Sequence, residues 1–404
     1  MRRSLASALA IAFLTIGPST HAQKPKDEPR RPKMPAGVDT NSAQVYYDYG
    51  LAKLNRDPEE AANSFYWAAR INPLLADAYY GRRCALLLSD KWRFQRYEDD
   101  DRRTLQSDEV KRIDSLYYYS LTLNPFLYRK LELLMFRSYI GNWAEDYARR
   151  NNVSQNEVQY EIERYINQNA SSGTRAWQAY GEGRFADALR LYADAIKNAK
   201  HKAEYRADRG RIFFQLNQGD SALAELSQAV DEMRKADKKD LVYVYESKAL
   251  IEHSIGLVYQ RLGNNVAAKE AFGRALQEDL SYFPAHVQLA YMALDAKDTT
   301  TALTEMDLAV QIRGDDPGLR YIYGFSLATS GKYKDAEEQL RKAIEIDPVF
   351  PTPYAQLGEV LDKQGRGADA LAQYRNFLAL ASQSDLRRKN AEDRVRELAS
   401  KSDQ

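Results

Sequence analysis

The second half of this chain repeats with a period of 34 residues, and that period sets narrow limits on how it can fold. Blocks starting at Ala249, Phe283, Pro317 and Pro351 are in register on the small residue at their eighth position: Gly256, Ala290, Gly324 and Gly358. A further pair starts at Asn169 and Ala203, also 34 apart, and joins the later blocks through a 12-residue insertion. A fixed period of this length describes stacked supersecondary units rather than one globular core. Such an array grows by addition, so 404 residues need no single large core.

The block at 317–350 reads PGLRYIYGFSLATSGKYKDAEEQLRKAIEIDPVF. Tyr323, Gly324 and Leu327 recur at helical spacing, followed by Ala336, Leu340, Ala343 and Ile344. Gly331 suits the left-handed residue that ends a helix, and Pro348 stops the next one because its ring cannot continue the ladder. Each unit therefore reads as a helix, a tight turn and an antiparallel helix. Gly324 is expected to face Ala336, so that the two axes approach closely. The other blocks repeat the chemistry: Gly256, Tyr259, Gly263, Ala268, Phe272 and Ala275 in one, Leu357, Gly358, Gly365, Ala370, Tyr374 and Leu378 in another. The block at 283 departs in its turn, with Lys297 in place of glycine.

These units resemble tetratricopeptide repeats, whose pattern is a large residue, L-G-x-x-Y, G-x-Y-x-x-A-x-x-x-F-x-x-A and a closing proline. Six of them cover residues 169–382. The resemblance implies an all-α, right-handed superhelical solenoid of antiparallel helix pairs, with the first helices lining its inside. It also implies that positions 5, 9 and 12 of each unit point into the groove. Position 9 supplies Trp177, Arg211, Leu257, Tyr291, Phe325 and Glu359; position 12 supplies Tyr180, Phe214, Gln260, Leu294, Ala328 and Asp362. Position 5 adds His253, Val287 and Tyr321 in the middle units. The implied groove is aromatic and apolar through its centre, with Arg211 near one end and carboxylates at the other. Such a strip accepts a protein or peptide segment with apolar anchors. The competing reading is that the chain covers the strip itself, through a tight superhelix or a neighbouring segment.

Residues 41–168 are more irregular. Ala61, Phe65, Ala68 and Pro73 carry a second-helix signature, and Tyr80, Gly81 and Cys84 begin another first helix. Its partner is delayed by the charged stretch at 91–106 and resumes at 108–125, while 126–168 is helical by period. The expectation is two irregular repeats and a connector. The charged amphipathic segment 384–399, within 383–404, is expected to cap the last unit.

The chain carries 58 basic and 57 acidic residues, so the electrostatic footprint of a nucleic-acid binder is missing. Residues 1–22 read as a secretory signal: Arg2 and Arg3, an apolar run from Leu5 to Ile16, then Thr20-His21-Ala22 as a cleavage site. That run is shorter than the roughly 20 residues a bilayer needs, so no stable membrane insertion of the mature chain is expected. The proline-rich stretch at 23–40 reads as a disordered linker. With a signal, one cysteine and no disulfide framework, a bacterial periplasm fits best, and secretion is the other expectation.

Catalytic chemistry is hard to place. His201, His253 and His286 remain after the signal and carry no metal-ligand spacing. The acidic run Glu98 to Asp101 lacks the glycine and alternation of a calcium loop. Cys84 sits at a repeat-core position, as a small buried hydrophobe would. The reading is a non-enzymatic binding scaffold without cofactor or metal. Its rivals are a carbohydrate- or cell-wall-associated module, since aromatic strips also stack on sugars, and an enzyme with its site in 89–168, around Tyr117 to Tyr119 and Trp143.

Overall fold

The computed structural model describes residues 28–89, 108–200, 202–236 and 247–402. The signal-like segment, the acidic run and His201 lie outside them. The described residues form nineteen helices. Two pairs open the chain: α1 (Ala43–Lys53) with α2 (Pro58–Ile71), and α3 (Ala76–Ser89) with α4 (Asp108–Leu123). A hairpin of α5 (Lys130–Asn151) and α6 (Gln155–Asn169) follows.

Six regular pairs then stack in order: α7 (Ser172–Gly181) and α8 (Phe185–Asn198), α9 (Ala203–Gln215) and α10 (Gly219–Ala236), α11 (Lys248–Arg261) and α12 (Asn265–Glu278), α13 (Phe283–Asp295) and α14 (Thr299–Ile312), α15 (Pro317–Thr329) and α16 (Tyr333–Ile346), α17 (Thr352–Lys363) and α18 (Gly367–Leu380). A final helix, α19 (Arg388–Ser402), lies on α18.

Local chemistry sets these boundaries. Asp57, Asn264, Asp298 and Asp316 accept a backbone N–H three residues on, satisfying donors that a helix start leaves free. Pro58 and Pro317 occupy first positions, where a missing N–H costs nothing. Between paired helices Gly183, Gly263, Gly331 and Gly365 take φ of 75–77°, and Asn217 and Lys297 are forced to φ of 59° and 61° at the same point. The departure at Lys297 thus changes the residue but not the turn.

Several pairs are pinned by a glycine facing a large residue. A Cβ on Gly324 would stand 2.7 Å from Leu340 Cγ and 3.4 Å from the Ala336 carbonyl oxygen. The notch therefore receives the Leu340 side chain, one helical turn beyond the Ala336 expected there. Gly256 receives Phe272 and Gly358 receives Tyr374 in the same way. Phe65 fills two such notches at once, against Gly50 and Gly81. Cys84 is fully buried, and burial pushes its thiol up to about 12. It acts as a core residue.

The stretch expected to be a disordered spacer has fixed contacts from Arg31 onward. Arg31 Nε donates to the Tyr46 hydroxyl at 2.8 Å, and its guanidinium lies 5.0 Å from the Trp67 ring centre. Aromatic faces hold the cation, so these residues are extended but docked. At the other end, Ala391 and Leu398 are buried and Arg394 Nε donates to Asp362 at 2.9 Å, so α19 covers the apolar end of the last pair.

Candidate functional site

The inward faces of the first helices meet the chain's own N-terminal part. The α4–α5 connection enters first. Tyr128 donates to the Tyr180 and Gly181 carbonyls at 3.0 Å each. Phe126 stacks on Phe214, with ring centres 3.6 Å apart and planes 13° from parallel. Arg211 Nε donates to the Pro125 carbonyl at 3.0 Å, and Gln215 to that of Phe126 at 3.2 Å. Backbone acceptors and one ring are thus held as a peptide ligand would be.

The same course continues toward the N-terminus. Tyr119, with Tyr79 and Leu123, packs into a cluster with Phe283, Val287, Tyr291 and Leu319, and its hydroxyl donates to Asp316 at 2.5 Å. Arg70 reaches Asp347. Asp39 accepts from Ser382 Oγ and the Gln383 N–H, both at 2.7 Å, and Asn41 donates to the Ala379 carbonyl at 3.0 Å. Read from Tyr128 back to Asp39, the N-terminal segment runs along the repeats from first to last.

The strip is therefore covered by the chain itself over its first and central parts, and the open central groove is not formed. Trp177 packs edge-on against Phe136 and points its indole N–H at Glu132, 3.5 Å away. Tyr180, Arg211 and Val287 are buried, and Phe214 lies beneath Phe126. Leu257 packs on the cluster that joins residues 46–135 to 249–285. Tyr291 is half-buried, and burial raises its phenol to about 12. Leu294 is half-buried.

His253 lies inside its own unit, against Phe272 and Tyr282, and desolvation lowers its imidazole to about 3. For His253 the reason is packing between the two helices of its unit; for the others it is that an apolar strip this long finds a partner in the nearest chain with unspent apolar surface.

Among the predicted aromatic and apolar residues only Phe325 is exposed. Phe325 is 40% exposed and Tyr321 is half-buried, with ring centres 6.5 Å apart. Tyr321 meets Phe350 edge-on at 5.7 Å. Beside them opens a cavity of about 450 Å³. Tyr321, Phe350 and Pro351 form one wall, Ile71, Leu74 and Leu75 the other. Asn41, Ser382 and Arg387 supply polar rim groups. Arg387 is held in place by Asp385 through hydrogen bonds of 2.9 and 2.6 Å and lies 5.7 Å from the Phe377 ring centre. The wall from Ile71 to Leu75, like Arg387, belongs to no regular unit, so reading groove positions along the repeats could not find it. The signal available was the Asn-Pro ending at 72–73, which marks a turn but not its destination.

No group of His, Cys, Asp or Glu among the described residues has metal-site geometry. Tyr117 lies within 4.9 Å of the Arg83 guanidinium and Tyr119 is committed to Asp316, so both serve packing. No helix among the described residues is long and apolar enough to cross a membrane.

The fold and its inner strip define an α-solenoid of helix-pair repeats. Models of the tetratricopeptide repeat match residues 174–238 and 253–317, and a further model of that repeat matches 324–365, in the register seen above. Those residues are tetratricopeptide repeats, a motif whose proteins bind peptides or proteins.

A comparison with curated proteins finds no match. Among solved structures, the C-terminal part of a tetratricopeptide-repeat protein from Cytophaga hutchinsonii is 14% identical, with a TM-score of 0.42 over 51% of this chain and 78% of that one. YrrB, described as a tetratricopeptide-repeat protein with an unusual peptide-binding site, is 20% identical, with a TM-score of 0.39 over 49% and 95%. MamA of Desulfovibrio magneticus is 17% identical, with a TM-score of 0.37 over 44% and 94%.

Proposed function

We propose that this protein is an exported protein- or peptide-binding scaffold whose working surface is the gap left between its N-terminal segment and the last two units of its inner face. The observation that carries the reading is the cavity of about 450 Å³ between the N-terminal segment and the last two units, with Tyr321 in its wall and the exposed Phe325 6.5 Å from the Tyr321 ring centre. Its size lies in the range that encloses a few side chains, roughly 300–1,000 Å³. An extended segment would seat an apolar anchor between Tyr321 and Leu74 and turn its polar groups to Asn41, Ser382 and Arg387. The buried aromatic contact would dominate the affinity, with truncation costing about 2 kcal/mol. Export rests on the pattern of residues 1–22, and the periplasm is the compartment it favours.

The test places a photo-crosslinking residue at Phe325 and, separately, at Tyr291 in cells that express the full chain. Adducts at Phe325, weakened by Tyr321→Ala and absent at Tyr291, are expected. Adducts of equal yield at both positions, or none at Phe325, would reject this site. Cell fractionation with and without residues 1–22 tests export: the shortened chain should stay in the cytoplasm.

A further inference from the structure

The α5–α6 hairpin carries a surface that the repeat stack leaves unused. The N-terminal half of α5 packs on α3 and α7, with Leu131, Leu133 and Met135 buried. Its C-terminal half is different: Trp143 and Tyr147 stack on each other, ring centres 5.2 Å apart and planes 18° from parallel, yet stay 43% and 44% exposed. The matching residues of α6, Val158, Ile162 and Tyr165, lie at i, i+4 and i+7. Between the two helices runs an open cleft of about 560 Å³ lined by these side chains and Val153. In the regular units this side of a helix pair is closed by the next first helix. Here α6 packs chiefly on α5, and the seam stays open.

Charge selects the occupant. The polar residues lining the cleft are Glu157 and Glu161. Arg164 pairs with Glu161 at 2.6 Å, whereas Arg149 and Arg150 are engaged by Asp146. Glu157 has no ion pair among the described residues, so it is the one carboxylate lining the cleft that no cation neutralises.

We infer that the α5–α6 hairpin is a docking site for an amphipathic helix of a partner protein, one with an apolar stripe at i, i+3/i+4, i+7 flanked by Lys or Arg. The incoming helix takes the place of the absent next first helix, seats its stripe against Trp143 and Tyr147, and brings a cation to Glu157, beside the Glu161–Arg164 pair. This surface is separate from the Tyr321 cavity, and either can fail without the other.

The experiment titrates the full chain with a synthetic basic amphipathic helix and, in parallel, with its charge-inverted form bearing Glu for Lys. Trp143 fluorescence and peptide anisotropy report binding. Saturable binding of the basic helix is expected, weakened at least about tenfold by Trp143→Ala/Tyr147→Ala. Glu157→Lys/Glu161→Lys should reverse the preference between the two peptides. Both double variants replace exposed residues, and unchanged circular dichroism and thermal melting show that they fold. Equal binding of both peptides, binding untouched by Trp143→Ala/Tyr147→Ala, or no binding of the basic helix would overturn the proposal. So would sedimentation showing that wild type dimerises and Trp143→Ala does not, since the seam's occupant would then be a second copy.

Discussion

Arg70 grips Asp347 across 277 residues of sequence, with Nε donating to Oδ2 at 2.9 Å and Nη2 to Oδ1 at 2.7 Å. Asp347 is the residue that ends α16 before Pro348, and Arg70 lies in the last turn of α2. The pair is mostly buried, at 15% and 9% side-chain exposure, and both partners are fixed by planar, two-point geometry. It is one of the bonds that holds the N-terminal helices against the repeats.

Removing one partner leaves the other charge buried. Arg70→Ala is expected to destabilise the protein by about 2–3 kcal/mol, read as a lower midpoint in urea unfolding. The variant should also be cut faster by limited proteolysis in the Asn72 to Leu75 turn. A midpoint within error of wild type would show that solvent already carries this charge pair.

Lys297 occupies a left-handed turn that glycine fills in four sibling units. A side chain costs about 1 kcal/mol there, so Lys297→Gly should raise the melting temperature. Gly331→Ala should lower it by a comparable amount, and the double variant should sit near wild type if the two turns are independent.

Gly256 tolerates no side chain. A Cβ would stand 2.3 Å from Phe272 Cε1, a distance that forces α11 and α12 apart. Gly256→Ala is expected to cost about 1–3 kcal/mol through overpacking, measured by chemical denaturation. Gly273→Ala, where a Cβ meets nothing within 4 Å, is the matched control and should be neutral or slightly stabilising.

The two described histidines act oppositely on pH stability. His253 is buried with its Nε2 unpartnered among the described residues, and its imidazole is lowered to about 3. As pH falls below about 6.5 the unfolded chain takes a proton that the native state refuses, so stability drops toward pH 3. Burial alone would also lower His286, but its 2.6 Å bond to Glu305 and its contact with the Leu280 carbonyl raise it overall. Its contribution is complete below about pH 6.5 and fades as pH rises through the raised value. His253→Leu should therefore narrow the gap in melting temperature between pH 7.5 and 5, whereas His286→Gln should lower stability more at pH 5 than at pH 8. The reverse ordering would show that the two roles are wrongly assigned.

Much of this fold was legible residue by residue. Gly331, Pro348 and the spacing from Ala336 to Ala343 placed α15 and α16, and the same reading placed all six regular pairs. Lys297 was visible as an anomaly, though its left-handed backbone was not. The inner strip was identified as aromatic and its cover by the chain itself was the competing reading, but the segment that covers it was not identified. Phe126 and Pro125 stand outside any repeat, and nothing in their sequence surroundings points to Phe214 or Arg211. The Arg31 and Asp39 contacts were hidden by a composition that, taken alone, describes an unbound chain.

Sequence by itself determined the unit: a 34-residue helix pair whose notch, turn and stop are set by contacts between neighbours along the chain. Those interactions close short loops and recur with the period, so a pattern reveals them. Only the tertiary structure decided that the hollow is filled from within. That choice depends on pairs such as Arg211 with Pro125 and Ser382 with Asp39, separated by 86 and 343 residues. They form because stacking turns the apolar inner strip toward N-terminal helices whose own apolar faces would otherwise remain in water.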